Sequence, residues 1–134
     1  MKVHIGRYTE NKPRKIKVRI DPWDTYSMDH TLALVIHPML VQLAEFCARH
    51  QSCSVVEDED VPLHLHGDEE GIYPRWKYVL DEMVWAFGEH SKEDGDAQFF
   101  DTNRELDVEG FTAYMERKQN GFRLFGKYYR GLWT

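Results

Sequence analysis

This chain has little cysteine, no long apolar run and none of the short motifs that announce a reaction. Only Cys47 and Cys53 are present in 134 residues, too few for a disulfide framework, and Cys47 falls on the apolar side of a helical pattern, where a thiol acts as a small hydrophobe. The longest apolar stretch, Leu32 to Val41, is interrupted by His37 and Pro38 and falls short of the roughly 20 apolar residues that span a bilayer. No apolar signal-peptide run stands at the N-terminus. These absences predict a soluble intracellular protein with no membrane partner. A Gly-rich P-loop, H-E-x-x-H, G-x-S-x-G and paired C-x-x-C are also missing, and no repeat or low-complexity tract occurs. The reading is of one domain over residues 1–134 with no catalytic residue, metal or cofactor assigned.

What is present is an uneven charge distribution. The net charge of -6 hides cationic ends: residues 1–20 carry seven Lys/Arg against Glu10, and residues 111–134 carry five against Glu116, whereas 21–110 hold a net -16. Overall pI is therefore a poor guide to partners. Positive potential gathered from the two ends suits a phosphate-bearing ligand, while the acidic middle opposes duplex nucleic acid.

Lys15, Lys17 and Arg19 alternate with Ile16, Val18 and Ile20, the period-2 signature of a strand with one buried and one wet face. Val3 and Ile5 supply a shorter partner across Asn11–Pro13, so a hairpin with a largely cationic solvent face is expected. Asp21 and Pro22 are helix-start residues, with Ser27 an alternative cap. A long amphipathic helix should follow through Leu32, Ile36, Leu40 or Met39, Leu43 and Cys47 to about His50, kinked or broken by Pro38. A second helix should open at Pro74 and carry Trp76, Val79 or Leu80, Met83 and Phe87 inward, ending near Gly88. The third should start near Asp107 with Phe111, Met115, Phe122, Phe125, Tyr129 and Leu132 along its apolar side. The fold class is thus α+β, an N-terminal β-hairpin packed on a bundle of about three helices.

The third helix carries the sharpest signal. Glu116, Asn120, Arg123, Lys127 and Arg130 follow at steps of four, three, four and three, which aligns them on one face, and like charges so aligned repel unless an anion or acidic neighbours offset them. Gly121, Gly126 and Gly131 interrupt the same stretch, at about 1 kcal/mol each against Ala in a helix interior; either backbones approach closely there or the helix breaks and frees amides. The second candidate is the run Trp23, Asp24, Tyr26, Ser27, Asp29, His30, in which aromatic faces, carboxylates and a hydroxyl crowd a helix start. The candidate ligand set is Arg123, Lys127 and Arg130, joined by Arg19, for phosphate; Trp23 or Tyr26 for stacking on a base; and Asp24, Ser27, Asp29, His30 or Asn120 for sugar and base edges. His64 and His66 with Asp68, Glu69 and Glu70 form a weak metal-like grouping that reads as surface histidines.

Three blocks, KVRIDPWDTYSMDHTLALVIHPML, VLDEMVWAF and ERKQNGFRLFGKYYRGLW, resemble a family of small proteins encoded by tailed bacteriophages. The resemblance implies a protein acting in the cytoplasm of an infected bacterium and by itself implies no chemistry. In size and side-chain type the chain is also similar to phage proteins that sequester nucleotide signals of bacterial immunity, such as cyclic dinucleotides or ADP-ribose derivatives. The expected function is accordingly a non-catalytic, homo-oligomeric binder that sequesters a phosphorylated nucleotide. Two alternatives stand beside it: an enzyme cleaving such a nucleotide with His30 and Asp29 or Glu82, and an interaction protein using Glu57–Asp60 to block a host nucleic-acid-binding factor.

Overall fold

Alternation of charged and β-branched residues produces the first structural element. In the computed structural model, which describes residues 1–67 and 71–134, β1 (Lys2–Ile5) pairs antiparallel with β2 (Ile16–Arg19). The register sets Lys2 opposite Arg19, Val3 opposite Val18, His4 opposite Lys17 and Ile5 opposite Ile16. Asn11 takes a left-handed φ of 63° in the connection, a conformation Asn tolerates better than most residues. The expected division into a wet and a dry face is present in pattern but not in burial. Val3, Ile5, Ile16 and Val18 are each 48–66% exposed.

A 3-10 turn at Pro22–Thr25 follows, and then α1 (Met28–His50). Asp21 and Ser27 therefore each precede a helical segment, one per segment. The α-helix runs unbroken through Pro38, which stands on an exposed position. α2 (Ile72–His90) starts two residues before Pro74, which occupies the first turn, where no intrahelical donor is lost. α3 (Val108–Lys127) begins at Asp107, whose Oδ1 accepts the Gly110 N–H at 3.0 Å; this cap satisfies one of the orphan donors of the first turn. The chain is thus α+β, with an N-terminal two-stranded hairpin and three helices. It forms two compact units, Met1–Leu32 and Ala33–Thr134.

The second unit holds the core. α2 contributes Trp76, Val79, Leu80, Met83, Ala86 and Phe87, all buried, against Ala33, Leu40 and Cys47 of α1 and Leu124 and Tyr128 of the C-terminal segment. Full burial of a Leu or Met side chain contributes about 1.5–3 kcal/mol. The inward line of α3 is Tyr114, Lys118, Gly121 and Leu124; of the expected apolar side, Phe122, Phe125 and Leu132 pack half-buried against the core, whereas Met115 and Tyr129 are rotated outward. Met115 and Tyr129 are 39% and 64% exposed. Gly121 explains the rotation: a Cβ there would lie 2.3 Å from Ala86 Cβ and 2.8 Å from the Glu82 carbonyl oxygen, so only glycine lets α3 approach α2 this closely. A Cβ at Gly126 would meet no heavy atom of the described residues within 4 Å beyond its own helix backbone and chain neighbours. Gly126→Ala is therefore expected to stabilise the protein by about 0.5–1 kcal/mol through helix propensity alone, measurable as a higher urea midpoint.

Candidate anion-binding site

The acidic loop before α2 meets the basic end of α3. Arg123 Nη2 donates to Asp60 Oδ1 at 2.6 Å, and its Nε donates to Asn120 Oδ1 at 3.0 Å. Lys127 Nζ reaches Glu57 Oε2 at 2.6 Å, Glu59 Oε1 at 2.7 Å and Asp60 Oδ2 at 2.7 Å. Tyr128 completes the group, donating its hydroxyl to Asp60 Oδ2 at 2.6 Å and accepting the Glu57 N–H at 3.1 Å. Asp60 is the centre of the network, its side chain 1% exposed. Burial alone would push its carboxyl up, but hydrogen bonds from Lys127, Tyr128 and Arg123 outweigh this and hold it at about 2. Asp60, then Glu57 and Glu59, raise Lys127 well above the usual range of an ammonium.

This arrangement corrects the phosphate assignment for two residues. Arg123 and Lys127 are already neutralised by carboxylates, because a buried Asp60 needs countercharge and α3 supplies it. Asn120 is engaged by Arg123. Arg130 leaves the line altogether: α3 ends at Lys127 and Arg130 falls on a 3-10 turn, Tyr129–Gly131, where its side chain is exposed. A neighbouring clamp does the same for the loop itself. Buried Arg75 donates to Asp58 Oδ1 at 2.6 Å and to the carbonyls of Val56 at 2.5 Å, Leu65 at 2.5 Å and Gly67 at 3.3 Å. Asp58 is held below the ordinary carboxylate range, first by Arg75 and then by the Gly67 N–H. Sequence reasoning missed Arg75, and the signal available was an arginine four residues before Val79, on the apolar side of the helical pattern.

The remaining predicted residues belong to the first unit. Trp23 and Tyr26 are 74% and 92% exposed, unusual for aromatic side chains. The Met1 ammonium bridges Asp21 at 3.2 Å and Asp24 at 2.9 Å, which ties the Pro22–Thr25 turn to the strand end carrying Lys2 and Arg19. Asp24 Oδ2 also accepts the Asp21 N–H at 2.7 Å, so its expected bond to a sugar hydroxyl gives way to a capping role. The Met1 ammonium, followed by the Asp21 amide, holds Asp24 below its ordinary range. Ser27 is exposed, with its carbonyl accepting the Thr31 N–H at 3.0 Å. Asp29 and His30 stand in the first turn of α1.

The hairpin contributes more cations than Arg19. Its register puts Lys2, His4, Lys17 and Arg19 on one face, with Lys15 beside Gly6, whose N–H donates to the Lys15 carbonyl at 2.8 Å. Among the described residues no carboxylate pairs with Lys2, Lys15 or Lys17, and Arg19 has only Asp21 at 3.7 Å. Like charges directly across a ladder are destabilising. The period-2 pattern had signalled this face, but the helical stripe drew the assignment away from it.

Residues of the alternative readings are engaged elsewhere. Glu82, buried, takes both Nε and Nη2 of Arg117 at 3.1 and 2.9 Å, and Arg117 lies over the Trp85 ring at 3.9 Å. Glu57, Glu59 and Asp60 have the proximity of a cation site, and the Lys127 ammonium fills that role. His66 bonds the Val61 carbonyl at 3.0 Å and His64 is exposed; Asp68, Glu69 and Glu70 lie outside the described residues. A shallow recess of about 320 Å³ is lined by Gln98, Phe99, Phe100, Asp101, Glu105, Leu106 and Asp107. Its three carboxylates suit no anion. No protein-family model, curated protein or solved structure matches the chain.

Proposed function

We propose that this protein is a non-catalytic binder of a phosphorylated nucleotide, gripping its phosphates with the cationic face of the hairpin. The reading includes the phage setting of the sequence resemblance: sequestration of a cyclic dinucleotide or an ADP-ribose derivative in the cytoplasm of an infected bacterium. The observation that carries it is the ladder of Lys2, Lys15, Lys17 and Arg19, in which no carboxylate of the described residues pairs with the three lysines and Arg19 has only Asp21 at 3.7 Å. Lys15, Lys17 and Arg19 alternate along one strand, which spaces them by about 6.8 Å. Such spacing favours a ligand with two or more phosphates over a single one. Exposed Trp23 sits in the turn tied to the Lys2 and Arg19 end and exposed Tyr26 directly follows it, and base stacking on an aromatic ring contributes about 1–3 kcal/mol.

Calorimetric titration with a cyclic dinucleotide, ADP-ribose and inorganic pyrophosphate tests the proposal. The Lys17→Ala/Arg19→Ala protein is expected to lose about tenfold or more in nucleotide affinity, and binding should weaken steeply with salt. Ligand recovered after heat denaturation should be intact. Binding unchanged in that variant, or absent from the wild-type protein, overturns the reading; recovery of cleaved nucleotide replaces sequestration with hydrolysis.

A further inference from the structure

Residues 1–32 contain no buried residue, so the cationic face of the hairpin is an open ribbon. A small molecule is ordinarily held in a concave site that covers most of its surface. An extended polymer needs no such enclosure: a row of cations grips its backbone, and flat aromatic faces take its bases. Both parts are present here. The interval of about 6.8 Å between Lys15, Lys17 and Arg19 along the strand is of the order of the separation between successive phosphates of a nucleic-acid backbone. The register adds Lys2 opposite Arg19 and His4 opposite Lys17, and Gly6, beside Lys15, sets no side chain against it. Exposed aromatic rings flank the row, Tyr8 in the connection beyond Lys15 and Trp23 and Tyr26 after Arg19. Asp21 and Asp24, which follow the row in sequence, are held by the Met1 ammonium. All of these residues lie in the first compact unit, Met1–Leu32, so the surface is built within that unit.

We propose that the hairpin binds single-stranded nucleic acid, with successive phosphates along Lys15, Lys17 and Arg19 and unpaired bases stacked on Trp23 and Tyr26. The inference rests on the reading of this face as a phosphate grip and extends it from one nucleotide to a chain of them. A duplex is the poorer ligand, because its bases are stacked on one another and offer no free face to an aromatic side chain. The row also fixes how binding should respond to salt. Each phosphate neutralised on a single strand releases about 0.7 of a counterion, so contacts from Lys2, Lys15, Lys17 and Arg19 give log affinity against log salt a slope of about -3.

Fluorescence anisotropy of the whole chain with a labelled oligothymidylate of about 12 nucleotides, within the usual range of single-strand site sizes, is expected to show binding with that salt slope. Trp23→Ala should weaken it about tenfold, and Lys15→Ala/Lys17→Ala should cut the slope to about -1.5. These side chains are exposed, so the thermal melts of both variants should match the wild type. A duplex of the same length should bind about tenfold or more weakly. Equal affinity for the duplex, or indifference to Trp23→Ala, overturns the inference by reducing the contact to charge alone; an unchanged slope in the lysine variant overturns it by placing the phosphates elsewhere. Calorimetric titration with a cyclic dinucleotide separates the two readings. If the dinucleotide binds and the oligonucleotide does not, the inference falls and the nucleotide reading stands; if neither binds, both fall. Binding of the oligonucleotide alone upholds the inference and removes sequestration of a single nucleotide.

Discussion

Asp60→Asn is expected to destabilise the protein by about 3 kcal/mol, because it removes the one charge that both Arg123 and Lys127 share in a buried setting. The loss stays near the lower end for a broken buried pair, since the Arg123 side chain is 48% exposed and regains water. Tyr128→Phe deletes two hydrogen bonds, the one donated to Asp60 and the one accepted from the Glu57 N–H, and should cost about 1–3 kcal/mol. Combining Asp60→Asn with Lys127→Met should cost less than the sum of the two, as residues of one network couple. Urea unfolding of the four proteins checks the set. The same carboxylate imposes a pH dependence of known sign. Its folded pKa, about 2, lies below the unfolded value, so its contribution of roughly 2 kcal/mol is complete above about pH 4 and disappears as pH falls through about 2. Asp60→Asn should remove that limb of the stability–pH curve. An unchanged acid limb would place the countercharge of Arg123 and Lys127 on Glu57 and Glu59.

Gly121→Ala should be nearly as damaging, by about 2–3 kcal/mol. The added methyl meets Ala86 Cβ at 2.3 Å and the Glu82 carbonyl at 2.8 Å, and neither is the far end of a flexible side chain. α3 must then slide off α2. That movement also loosens the Glu82–Arg117 pair, with its two hydrogen bonds at 3.1 and 2.9 Å. A calorimetric melt should shift down by about 10 °C for a chain of this size. The opposite sign expected at Gly126, five residues on, makes the pair a test of backbone approach rather than of glycine content. Should Gly121→Ala melt with the wild type, the α2–α3 crossing is looser than these distances state.

Local pattern made much of the fold legible. The alternation of Lys15 through Ile20 identified the second strand, Asp107 marked the start of α3 as its cap, and the Trp76–Phe87 stripe named the buried side of α2. Each of these signals is read within a few residues of where it acts. The inward side of α3 was legible in part, because Phe122 and Phe125 do pack against the core while the residue that sets the approach to α2 is a glycine. Its role depends on Ala86, thirty-five residues earlier. Pro38 was read as a kink or a break, and the break is ruled out, since α1 continues through it at an exposed position.

The candidate site divides along the same boundary. Composition and spacing alone determined that the chain carries cations at both ends, an acidic middle and an amphipathic first helix, because these are properties of order along the chain. Which cations remain available was decided only by tertiary structure. The line Arg123–Lys127 and the hairpin line Lys15–Lys17–Arg19 are alike as sequence; the loop Glu57–Asp60 meets the first, and among the described residues no carboxylate meets Lys15 or Lys17 of the second. The reason is electrostatic: a carboxylate taken out of water requires a partner, and it takes whichever cation the fold brings within hydrogen-bond reach.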